Sequence, residues 1–193
     1  MSLNVPLGAH AVVTEEEALR YIFKDREMHT EEEKDVIAQI INGVSAAIEG
    51  YIGNYVVARE ITEFLDGGRE IVFLSFRPVR ELKEITEDGN LLTPDQYYLY
   101  EREGYIKKAF GRFVDKPRCV KVVYRAGIAE DVTTVPDDIK LAALIWCDVI
   151  WNNGPANLSN PLEPRYEWVE NYRDMPRQVA KLLERYRKGF HIA

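Results

Sequence analysis

Val36, Ile37, Ile40, Ile41, Val44, Ala47, Ile48, Tyr51 and Ile52 recur at spacings of three and four. Only an α-helix gathers such a set onto one stripe, so this stretch reads as a long helix with a buried face. Ile139, Ala142, Ala143, Trp146, Cys147 and Ile150 repeat the pattern far along the chain. Between these stripes the period changes. Val120, Val122 and Tyr124 alternate with Lys121 and Arg125, which is the period of a strand. Strands enclosed by runs of helix, with no βαβ alternation, define the α+β class. The expected architecture is a helical bundle formed by the N- and C-terminal helices, with a central small antiparallel β block.

Local signals give the boundaries. Thr14-Glu15-Glu16-Glu17 and Thr30-Glu31-Glu32-Glu33 both have the form of a capping box, and their acids suit the positive end of a helix. Gly53-Asn54 is a fitting helix stop. Pro136, followed by Asp137 and Asp138, suits a helix start. Ile61–Leu65 and Ile71–Leu74 flank Asp66-Gly67-Gly68-Arg69 and are expected to pair as a hairpin. Tyr97–Tyr100 and Gly104–Lys107 form a second expected hairpin. Val79–Thr86 fits helix or strand, and the Asp88-Gly89 turn behind it favours strand. The resulting division is a domain over 1–153, with helices at 15–24, 31–52 and 137–151 and a strand block at 57–125. A loop and C-terminal helical tail fill 154–193, with the last helix starting near Asp174.

Of the 193 residues, 25 are Lys or Arg and 32 are Asp or Glu, a net charge of −7. Proteins that grip nucleic acid by its phosphates usually carry a basic surplus, which this chain lacks. No apolar run reaches the roughly 20 residues of a membrane span, and no secretory signal is expected. Cys119 and Cys147 lie far apart and read as buried thiols of a protein made in a reducing compartment. His10, His29 and His191 stand near no nucleophile motif, and no phosphate loop or dinucleotide fingerprint occurs. Asp137 and Asp138 read as helix-start charges rather than a metal site. The expectation is a chain with no catalytic site, no metal and no cofactor.

The chain is better supplied with contact residues. Tyr97, Tyr98, Tyr100 and Tyr105 cluster on the strand block. Tyr166, Trp168, Tyr172 and Tyr186 are interleaved with Arg165, Arg173, Arg177, Arg185 and Arg187. Tyr, Trp and Arg are enriched at the centres of protein contacts, although the same aromatics could fill the domain's own core. Aromatic residues among basic ones also suit single-stranded nucleic acid, which the acidic total disfavours. Residues 15–35 hold nine acids and four bases, whereas residues 173–188 hold six bases and two acids. Glu31, Glu32 and Glu33 on one side, with Arg173, Arg177, Lys181, Arg185 and Tyr186 on the other, are therefore candidate interface residues. They could complement one another within a chain or between neighbours.

Several segments together resemble one family. They are Val13–Ile22, Ile40–Gly53, Phe73–Val79, Ile85–Gly89, the "VxYxAG" segment Val122-Val123-Tyr124-Arg125-Ala126-Gly127, and Val135–Ala142. In order and spacing this set resembles the head–tail connector (adaptor) family of long-tailed phages, over roughly residues 13–153. The resemblance implies a structural virion protein of the head–tail junction, synthesised in the bacterial cytoplasm. It implies a homo-oligomeric ring beneath the portal protein, docking tail or head-closure proteins and passing DNA without specific binding. It implies no catalytic residue. The alternatives are another head-closure or tail-completion protein, or a protein- or nucleic-acid-binding module.

Overall fold

The computed structural model describes residues 5–24, 29–153 and 175–187. The chain divides into two compact units, one of residues 1–53 with 131–193 and one of residues 54–130. The first is helical and the second is built of strands, which places the chain in the α+β class.

In the helical unit, α1 (Glu15–Phe23) and α2 (Glu31–Ile52) both begin with a complete capping box. Thr14 Oγ1 accepts the Glu17 N–H at 3.2 Å, and Glu17 Oε2 accepts the Thr14 N–H at 2.8 Å. Thr30 and Glu33 repeat this at 3.2 and 2.8 Å. Each box satisfies N–H groups that the first helical turn cannot. α2 stops at Gly53, which adopts φ +69°, a left-handed conformation that glycine takes without strain. α3 (Asp137–Asn153) follows Pro136, and α4 (Arg177–Leu183) packs on α3. α1, α2 and α3 also pack on one another. The expected stripes are the buried ones: Ile37, Ile41, Val44, Ile48 and Ile52 on α2, and Ile139, Ala142, Ala143 and Cys147 on α3.

The segment before α1 is held by polar residues of α2. Asp35 Oδ1 accepts the Val5 N–H at 2.9 Å, Asn42 Oδ1 accepts the Gly8 N–H at 2.7 Å, and Ser45 Oγ accepts the Val12 N–H at 3.1 Å. Positions 35, 42 and 45 share one face of a helix, so this second stripe lays the chain along α2 and buries Val12 and Val13.

The strand unit holds β1 (Arg59–Leu65), β2 (Ile71–Phe73), β3 (Val79–Glu87), β4 (Asn90–Leu91), β5 (Tyr97–Tyr100), β6 (Tyr105–Lys108) and β7 (Val120–Ala126). They form two antiparallel sheets, ordered β1-β7-β3-β4 and β2-β6-β5. β5 and β6 form the expected hairpin, and β3 is a strand that turns into β4 at Asp88 and Gly89, both with positive φ. The hairpin expected between β1 and β2 does not form, because β1 pairs with β7 while β2 pairs with β6. The Gly-Gly segment instead packs against residues 113–118. Asp66 Oδ1 accepts the Arg118 N–H at 2.7 Å, and the Gly67 and Gly68 N–H groups go to the carbonyls of Lys116, Phe113 and Val114. A Cβ on Gly67 would stand 1.8 Å from the Val114 carbonyl oxygen, so glycine is required there for close approach.

Both sheets contribute to one core, including Val72 and Ile106 from one and Ile85, Val120, Val122 and Tyr124 from the other. Two polar devices lie in it. Glu87 on β3 pairs with Lys108 on β6 and also accepts the Val114 N–H at 2.7 Å, which clips the sheets together. The fully buried Tyr124 donates its hydroxyl proton to Glu63 at 2.9 Å, and its oxygen accepts the Phe76 N–H at 3.3 Å. Burial, then the bond to the Glu63 carboxylate, pushes this phenol well above its ordinary pKa, so it stays a donor.

Candidate assembly surface

The outward faces of the two sheets differ in chemistry. On the four-stranded sheet, Lys83 meets Glu60 at 2.6 Å, Lys121 meets Glu84 at 2.8 Å, and Arg125 pairs with Glu130. Exposed pairs of this kind answer one another and contribute little to stability. The outward face of the three-stranded sheet is aromatic. Phe73, Tyr105 and Tyr100 lie in one cross-strand row, with ring centroids 5.8 and 4.2 Å apart. The next row on that face is Ile71, Lys107 and Tyr98. Phe73 is 66% exposed, and Phe110, on the turn after β6, is 85% exposed. A contiguous face of open aromatic rings costs free energy in water and is characteristic of a contact surface. Tyr97 turns inward against the core, so the four tyrosines of the strand block divide between core and surface.

Phe73 and Phe110 were not singled out in the sequence. The alternation Ile71-Val72-Phe73, with Val72 in the core, carried the signal for Phe73. Gly111, at φ +71°, marks the turn that presents Phe110.

The residues that sequence patterning nominates fall on the start of α2, on α4 and in the turn that follows it. Glu31, Glu32 and Glu33 form the first turn of α2, where Glu31 meets Lys34 at 2.8 Å and Glu33 completes the cap. Arg177 and Lys181 lie exposed on α4. Arg185 pairs with Asp138 at 2.6 Å, and the Tyr186 hydroxyl donates to Asp138 at 2.8 Å, so these two tie the turn that follows α4 to the start of α3. Arg173 lies outside the described residues, as do Arg165, Tyr166, Trp168, Tyr172 and the proposed helix start at Asp174. Among the described residues, no group of three His, Cys, Asp or Glu side chains is placed to hold a metal. No helix among them is long and apolar enough to cross a membrane.

A second surface feature lies on the helical unit. An open groove between α1 and α3 is lined by Glu17, Arg20, Tyr21, Lys24, Asp137, Lys140, Leu141 and Leu144. Glu17 accepts a hydrogen bond from Lys140 at 2.7 Å while also serving the Thr14 cap. Burial by itself raises the Glu17 carboxyl, but the bonds from Lys140 and Thr14 outweigh it and hold the group below its ordinary value. On the inner side of α3, burial and then the Asp148 charge push the Cys147 thiol up to about 12.

The family model described as "Head completion protein" matches residues 12–189. Among curated proteins, none is similar enough in sequence to count as a match. Three solved structures share the fold at low identity. A chain in the neck of an empty gene transfer agent (GTA) particle, computed with C6 symmetry, is 15% identical with a TM-score of 0.68; the match covers 98% of this chain and 96% of that one. A chain in the virion of a native GTA particle is 16% identical with a TM-score of 0.63, over 96% of this chain and 92% of that one. A chain in the neck of a native GTA particle, computed with C12 symmetry, is 15% identical with a TM-score of 0.60, over 98% and 96%.

Proposed function

The chain belongs to the head completion protein family, and from that membership we propose that it is a structural subunit of the head–tail junction of a phage-type particle. The observation that carries this reading is the family match over residues 12–189, which takes in both compact units. Copies of the chain close into a ring beneath the portal protein, link the capsid to tail or head-closure proteins, and leave a channel through which DNA passes. The related folds in GTA necks, computed with C6 and C12 symmetry, support a cyclic arrangement. Its work is contact and not catalysis.

A closed ring requires each copy to present two different faces, one to each neighbour. The aromatic face of β2, β6 and β5 has the composition of such a face. Glu31, Glu32 and Glu33 opposite Arg173, Arg177 and Lys181 supply a second, electrostatic complement between copies. In this reading α1 to α3 and the tail helix act as one bundle. Residues 1–153 form the connecting domain, and residues 154–193 are an added tail.

Particles assembled without this chain test the proposal. Heads that package DNA but acquire no tail, and that regain tails when the purified chain is added, are expected. Tailed, infectious particles lacking it would sink the reading.

A further inference from the structure

We infer that the aromatic face of β2, β6 and β5 of one copy is covered in the ring by the helical unit of the next copy, which brings a carboxylate onto Lys107; the inference rests on the ring reading above. Lys107 stands in the middle of that face. Ile71 and Tyr98 flank it across the strands, and Phe73 and Tyr100 lie diagonal to it in the next row. Along the chain its neighbours on the same face are Tyr105 and Ala109, two residues to either side. None of the six carries a carboxylate, and Lys107 makes no ion pair among the described residues. On an open face the end of a half-buried lysine stays in water. Covering the face removes that water, and an ammonium buried without a counter-charge is strongly unfavourable. Whatever covers the face must therefore answer Lys107 with an acid.

A second copy offers as cover the same aromatic face, the outward face of its four-stranded sheet, or its helical unit. The aromatic face brings another Lys107 and no acid, and two like faces related by a twofold axis close a dimer and not a ring. The four-stranded sheet does present acids, but Glu60 already answers Lys83, Glu84 answers Lys121 and Glu130 answers Arg125. Laying aromatic rings over those pairs would strip water from each of them. The helical unit remains. Residues 54–130 hold as many acids as bases, so the whole net charge of −7 lies in the helical unit. Exposed carboxylates there, such as Glu16 on α1, make no ion pair among the described residues. Charge therefore selects the helical unit, and a strand face of one copy on the helical unit of the next is the contact between unlike faces that a closed ring needs.

Zero-length cross-linking of the full chain tests this cover. Rings assembled from a mixture of isotopically labelled and unlabelled chain, free or on portal-bearing heads, are treated with a water-soluble carbodiimide, which joins an ammonium directly to a carboxylate in contact with it. Mass spectrometry of the peptides is expected to show Lys107 linked to an Asp or Glu of residues 1–53 or 131–193 of a different copy. The link should vanish in Lys107→Arg, which keeps the charge and should assemble like the unaltered chain. Lys107→Glu, checked by circular dichroism for native folding, should fail to close rings at concentrations where the unaltered chain is fully closed, because like charges then meet under the cover. A link from Lys107 to a carboxylate of residues 54–130 of another copy, or no link between copies, would overturn the inference and leave the ring standing. Ring closure by folded Lys107→Glu at the unaltered level would overturn it in the same way. If the unaltered chain forms no ring in either setting, the ring reading itself fails and the inference falls with it.

Discussion

Lys108 and Glu87 are charged groups placed inside the strand unit. They are respectively 17% and 10% exposed at the side chain, and they bridge the two sheets. Lys108→Met would leave the Glu87 carboxylate buried with only the Val114 N–H, at a cost of roughly 3–5 kcal/mol. Adding Glu87→Gln should restore much of that loss, because the uncompensated charge is gone. Urea denaturation of the single and double variants checks this, and a double variant no more stable than Lys108→Met would contradict it. Glu17 makes a separate, pH-dependent contribution. Its folded pKa lies below its unfolded value of about 4.3. The stabilisation is therefore fully present above that unfolded value and is lost as pH falls through the folded one. The gap in melting temperature between the unaltered chain and Glu17→Gln should be constant near neutrality and close in acid. A gap that persists unchanged into strong acid would show that Glu17 acts by packing alone.

At the scale of elements, each Thr-to-acid box should contribute separately, since the two caps share no residue. Thr14→Ala and Thr30→Ala are each expected to cost about 1 kcal/mol, read as a shift in the denaturation midpoint. Gly67→Ala should be far more damaging than Gly89→Ala. The first would drive a methyl group into the Val114 carbonyl, whereas the second meets open space and only the strain of a positive φ. This contrast also shows what the sequence could reveal. The helix stripes, both caps and the β5–β6 hairpin depend on neighbours close in the chain, so spacing alone exposes them. Asp66-Gly67-Gly68-Arg69 has turn composition but serves a contact with residues 113–118, and no local pattern distinguishes a glycine needed for a turn from one needed for close approach. The stripe Asp35, Asn42 and Ser45 was illegible for the same reason, because its partners lie some thirty residues away. The candidate surface was half visible. Four tyrosines stand out in the strand block of the sequence, but the register that aligns Phe73 with Tyr105 and Tyr100 belongs to the sheet and not to any strand.

For the whole molecule, charge is distributed by unit. Residues 54–130 contain thirteen bases and thirteen acids, so the entire excess of −7 lies in the helical unit. A ring of such chains brings many like charges together, and its contacts must overcome that repulsion. The two kinds of contact proposed between copies respond differently to salt. Exposed charges such as Arg177 and Lys181 act over roughly one Debye length, about 10 Å at 0.1 M salt and about 3 Å at 1 M. Burial of Phe73 and Tyr100 is not screened and is slightly strengthened by excluded salts such as sulfate. A chain carrying Arg177→Glu and Lys181→Glu should therefore assemble poorly in dilute buffer and approach the unaltered chain as sodium chloride rises. A chain carrying Phe73→Ser and Tyr100→Ser should assemble poorly at every salt concentration. Sedimentation velocity across a salt series separates the two. If reversing Arg177 and Lys181 leaves low-salt assembly untouched, the basic face of α4 is ordinary solvated surface. If the aromatic variant recovers with salt as the charge variant does, the face of β2, β6 and β5 is not what holds copies together, because removing buried apolar area cannot be compensated by screening.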